Sequence, residues 1–129
     1  MTGRPRLLYL ITEDWYFWSH RLDLARAARD AGFDVTIATR VTDHGKQIRG
    51  EGFHLVPISL FRRSRNPLRE FGAITELVGL YRRVRPHLVH HVAMKPILYG
   101  SLAAWVVRVP VILNAFAGLG YLFTNSERQ

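Results

Sequence analysis

Five short apolar runs, each followed by an amphipathic or turn-rich stretch, restrict what this chain can become. They are 6–12 (RLLYLIT), 33–39 (FDVTIAT), 53–59 (FHLVPIS), 87–93 (HLVHHVA) and 109–115 (VPVILNA). Apolar runs of this length suit strands buried on both faces. Strands that alternate with helical patterns suit βα units on a parallel sheet. The expected fold class is therefore α/β: a Rossmann-like parallel sheet with helices on both faces, in a single domain over 1–129.

The stretches between the runs carry helix signals. Ser19 is placed to cap a helix running to about Ala31, with Leu24, Ala27, Ala28 and Ala31 on one face and Gly32 as the left-handed cap. A short helix is expected from about Asp43 to Glu51, ended by Gly52, and Pro57 marks the third strand as irregular or near an edge. Asn66-Pro67 is a helix start, after which Phe71, Ile74, Leu77, Val78, Tyr81 and Val84 keep helical spacing until Pro86. Pro96 opens a further helix through about Val107.

Composition narrows the function. There is no cysteine, so disulfides and thiolate metal sites are excluded and a reducing compartment is favoured. The first apolar run is too short for a secretory signal, and Arg108, Pro110 and Asn114 interrupt the longest apolar region, so neither a leader nor a membrane span is expected. With 18 basic against 10 acidic residues the formal charge is +8, and all but Lys46 and Lys95 of the basic residues are arginine. Such an excess favours phosphates, nucleic acid or an acidic membrane surface as partner.

In a doubly wound sheet, ligands collect at the carboxyl ends of the strands. The segment leaving the first strand, TEDWYFWSHR, carries four consecutive aromatics. Trp15, Tyr16, Phe17 and Trp18 either cover the core or line a site or rest on lipid. His20 and Arg21 fall at the expected first helical turn, where backbone N–H groups favour an anion; His20 could equally bond to the turn. No G-x-G-x-x-G follows this strand and no P-loop motif occurs. At the end of the fourth strand, HHVAMKP brings His90, His91 and Lys95 to the same edge. Neighbouring strand residues point to opposite faces, so the two histidines are not expected to share a metal, and none is assigned. Lys95 opposes the dipole of the helix it precedes. After the fifth strand, Gly118 and Gly120 permit close backbone approach, and Tyr121 to Phe123 form an apolar end. Arg62, Arg63 and Arg65, beside Phe61, form either a solvated basic loop or a contact with an anionic membrane.

The stretches DWYFWSHRLDLARAARDAGFDVTIAT and HHVAMKPILYGSLAAWVVRVPVILNAFAGLG, in that order, resemble the amino-terminal domain of family 4-type glycosyltransferases of the bacterial cell-surface polysaccharide type. The resemblance runs from about Leu7 to Phe123, and its most specific parts are the K-P-x-x-x-G-x-L-A-A run and the G-L-G end. It implies one half of a GT-B fold: an acceptor-binding half that touches the membrane, with a second half holding the nucleotide-sugar through two glutamates spaced eight apart. No such pair occurs here, so the chain reads as a truncated chain, a gene fragment or one subunit of a split enzyme.

The implied reaction is sugar transfer, of retaining type, from a nucleotide-sugar to a polyprenyl-pyrophosphate-linked saccharide. The nucleotide-sugar is a substrate, held mainly by the other half, and no cofactor is implied. The implied setting is the cytoplasmic face of the membrane. Asp14, Ser19, His20, Arg21, His91 and Lys95 would contact the acceptor or its phosphates, and Gly118 and Gly120 would shape the cleft between halves. Trp15, Tyr16, Phe17, Trp18, Phe61, Arg62, Arg63 and Arg65 would contact lipid. Many relatives carry a histidine after the fifth strand; here the stretch reads Ala115-Phe116-Ala117-Gly118, and no catalytic residue is assigned. Further expected partners are a separate carboxy-terminal half or a second copy, whereas nucleic acid is not expected. The alternative is a non-catalytic basic module that binds phosphate-rich partners or an anionic membrane surface.

Overall fold

The structure is a computed structural model, and it describes residues 4–59 and 66–115. Five strands, β1 (Arg6–Glu13), β2 (Asp34–Arg40), β3 (His54–Pro57), β4 (Leu88–Val92) and β5 (Val111–Ala115), form one sheet in the order β3-β2-β1-β4-β5. Every pairing is parallel. The order reverses between β1 and β4, which sets a crevice at the carboxyl ends of these two strands.

Helices α1 (Asp14–His20), α2 (Leu22–Asp30) and α3 (Gly45–Gly50) accompany one face, where Tyr9, Ile11, Phe17, Ile37, Ile48 and Val92 form a core cluster. Helices α4 (Pro67–Val84) and α5 (Met94–Val107) cover the other, around Leu8, Leu10, Leu77, Tyr81, Val89 and Ala104. Alternate residues of β1 feed the two clusters, as a strand buried on both sides requires. β3 lies at an edge, as Pro57 implied, and α4 begins with the expected cap: Oδ1 of Asn66 accepts from the Leu68 N–H at 3.0 Å.

The region after β1 departs from expectation. The aromatic stretch is a helix, α1, and a break at Arg21 (φ −124°, ψ −3°) separates it from α2. Ser19 therefore lies in the last turn of α1 and caps nothing. α2 turns Leu22 and Ala25 inward and leaves Leu24 exposed, so the predicted stripe is out of phase. On α4 the buried residues are Ala73, Leu77, Leu80 and Tyr81, and Phe71 stands in solvent. α5 starts at Met94, earlier than predicted, with Pro96 in its first turn. No helix among the described residues is long and apolar enough to cross a membrane.

Candidate functional site at the carboxyl edge of the sheet

The edge is built from the chain ends of β1, β2 and β4 and from the starts of α4 and α5. Asp14, the first residue of α1, is fully buried. Its carboxylate accepts from the Thr42 N–H (2.8 Å), the Thr42 hydroxyl (2.7 Å) and the His44 N–H (2.9 Å). Burial alone would raise this carboxyl, but the hydrogen bonds together outweigh it and hold it below its ordinary value. Asp14 thus clamps the segment after β2 to the start of α1. Beside it Glu13 pairs with Arg40 at 2.9 Å.

The aromatic run divides by helical phase. Phe17 is buried against Tyr9 and Phe53, which removes it from any lipid contact. Tyr16 and Trp18 are half-buried beside the same core, and Trp15 is exposed. His20 stacks on Tyr16 with ring centroids 4.2 Å apart, and its Nδ1 lies 3.3 Å from the Tyr16 carbonyl oxygen. His20 closes α1, so the expected first-turn anion position does not apply to it.

Arg21 turns its Nε inward, buried and without a hydrogen-bond partner among the described residues. His90 has an equally unpartnered, buried Nε2 and stacks on Tyr9 at 4.7 Å. Burial, with the Arg21 and His91 charges behind it, pulls the His90 imidazole down to about 4; burial also pushes the Tyr9 hydroxyl up to about 12.

His91 points to the opposite face, so the two histidines diverge as strand geometry requires. Its Nδ1 lies 2.9 Å from Asn114 Oδ1, which accepts, leaving Nε2 to accept from the Tyr81 hydroxyl at 2.9 Å. Fully buried and bonded at both nitrogens, His91 holds β4 to β5 and α4.

Lys95 bonds Glu70 Oε1 at 2.8 Å and lies 5.6 Å from the Tyr99 ring centroid. This pair joins the starts of α4 and α5. It also resolves the conflict of Lys95 with its own helix dipole, because Glu70 supplies the counter-charge. Between β4 and α5, Ala93 is held at φ 78°, ψ 168°, a region that only glycine enters freely. A strained residue at the switch crevice marks the edge as a site of constraint. Gly118, Gly120, Phe61, Arg62, Arg63 and Arg65 lie outside the described residues.

Sequence reasoning missed Thr42, Tyr81, Asn114 and Glu70. Each meets its partner only through the strand order or the helix packing, and no local spacing announces it. The described residues contain no cluster of three or more His, Asp or Glu able to hold a metal ion.

The fold recurs in solved glycosyltransferases and in an epimerase. Acinetobacter baumannii MurG matches 86% of this chain and 34% of its own length, at 15% identity and a TM-score of 0.66. A glycosyltransferase from Rickettsia africae matches 89% of this chain and 30% of its own, at 14% identity and 0.71. A UDP-N-acetylglucosamine 2-epimerase matches 84% and 32%, at 12% and 0.61. The chain therefore spans about a third of the length of each, and these likenesses establish the Rossmann-like half of a GT-B fold. No curated protein matches the sequence. The profile described as glycosyl transferase 4-like matches residues 6–129, nearly the whole length, and the chain belongs to that family.

Proposed function

We propose that this domain is the acceptor-side half of a retaining glycosyltransferase that moves a sugar from a nucleotide-sugar to a lipid-linked saccharide in bacterial surface polysaccharide synthesis. The observation that carries the reading is the family match over residues 6–129, on a sheet whose switch crevice opens between β1 and β4. At that edge Arg21, with Ser19 and His20 exposed beside it, is the group best placed for an acceptor phosphate. The lipid-facing role passes in part to new residues. Leu68 is 83% exposed and Phe71 68%, both in the first turns of α4, and Trp15 and Met94 stand exposed at the same edge. Apolar side chains held in water beside Arg69 fit the headgroup boundary of an anionic bilayer. On this reading the domain works at the cytoplasmic face of the membrane.

The test is sugar transfer from a panel of UDP- and GDP-sugars to polyprenyl-pyrophosphate acceptors. The chain is assayed alone and then mixed with a carboxy-terminal half from a longer relative. Transfer only in the mixture is expected. Silence in both, with salt-sensitive anion binding retained, would replace the reading with a non-catalytic basic module.

A further inference from the structure

The opposite, amino-terminal end of the sheet carries a cleft that the transferase reading does not use. Its walls are the end of α4, the end of α5 and the residues that lead into β1, β4 and β5. Five basic side chains line it, Arg6, Arg82, Arg85, His87 and Arg108, and no carboxylate among the described residues does. Three arginines elsewhere are neutralised: Arg26 and Arg29 share Glu51, and Arg40 has Glu13. Arg82, Arg85 and Arg108 make no ion pair with a described residue. The sequence explains this, because between Glu76 and Glu127 there is no acid at all.

The backbone adds an independent observation. Arg85 (φ 53°, ψ 58°) and Arg108 (φ 67°, ψ 50°) both occupy left-handed cap positions, where glycine is the residue of least strain. A side chain there costs about 1 kcal/mol each time. Attraction of arginine to helix-end carbonyls accounts for part of this preference, but not for several unpaired cations around one cleft. The cleft is also partly organised. Arg6 Nε donates to the Arg85 carbonyl at 2.8 Å, and the Arg6 N–H donates to His87 Nδ1 at 2.9 Å, so Nε2 of His87 carries a proton as a further donor.

We infer that this cleft binds a phosphate-bearing anion, at a site separate from the carboxyl-edge crevice. Guanidinium groups match phosphate oxygens in paired hydrogen bonds, and a cleft without acids leaves them free to do so. The phosphate could be borne by a soluble ligand or by a lipid headgroup. Val106 and Val109 line both this cleft and a neighbouring groove with the exposed Trp105, which puts apolar surface beside the charge.

The test uses the whole chain with two probes: inorganic pyrophosphate by titration calorimetry, and phosphatidylglycerol–phosphatidylcholine vesicles by sedimentation, both at low salt. Arg85→Gly/Arg108→Gly removes two cations while relieving two strained positions. Binding is expected to fall at least tenfold with a melting temperature unchanged or higher. Arg49→Gln, an exposed arginine on α3, is the control for diffuse charge and is expected to leave binding intact. Loss with pyrophosphate identifies a soluble phosphate ligand; loss with vesicles alone identifies a headgroup site. Absence of binding to both probes, or equal weakening by Arg49→Gln, would overturn the inference.

Discussion

Two neighbouring histidines, His90 and His91, show how one strand position decides a side chain's chemistry. Both are buried, and burial lowers both imidazoles from the ordinary 6.5, His90 to about 4. A group whose folded value is depressed binds its proton first in the unfolded chain. Its stabilisation is therefore complete above about 6.5 and is lost as the pH falls from there toward 4. The chain is expected to melt at a clearly lower temperature at pH 5 than at pH 7. His90→Phe keeps the stacking on Tyr9 and removes one titrating group, so its melting temperature should vary less over the same range. Parallel curves for the two proteins would show that His90 is not a source of the dependence. Alternation told from sequence alone that these rings diverge. What each would touch depended on Tyr9, Tyr81 and Asn114, which lie far along the chain and meet the histidines only through strand order.

At the scale of elements, α5 and β4 approach so closely that a single glycine decides their fit. A Cβ on Gly100 would stand 2.4 Å from His91 Nε2 and 2.8 Å from Leu10 Cδ2. His91 has no room to retreat, because Tyr81 and Asn114 hold both its nitrogens. Gly100→Ala is expected to cost about 2–3 kcal/mol in denaturant unfolding. The same change in a His91→Ala background should cost less, since the opposing ring is gone. Strict additivity in that double-mutant cycle would place the clash elsewhere. The K-P-x-x-x-G pattern exposed this glycine as special without giving the reason, which lies in the packing of α5 on β4. The five strands were legible because their apolar runs are continuous. The phase of α2 was not: the break at Arg21 is a backbone event with no proline or glycine to announce it, and it rotates Leu22 inward in place of Leu24.

For the whole molecule, the two sheet edges differ in a way that bears on solubility. β3 is short, ends in Pro57, and has the polar His54 paired to Asp34 at 2.9 Å, features that blunt an edge. Among the described residues β5 has no such protection. By register Val111 and Leu113 face the side of α1–α3 and Ile112 the side of α5, yet all three are exposed. On α5, Leu98, Leu102, Trp105 and Val106 are exposed as well. An apolar edge strand next to an apolar helix face favours association between chains as concentration rises. Leu113→Lys places a charge on that strand without touching the core. It should raise the concentration at which light scattering begins, while changing unfolding free energy by less than about 0.5 kcal/mol, as surface substitutions usually do. Onset at the same concentration would mean that association runs through another surface, the apolar first turns of α4 being the next to examine. Onset at a higher concentration, with pyrophosphate binding unchanged, would separate the apolar edge from the basic cleft as independent surfaces of one domain.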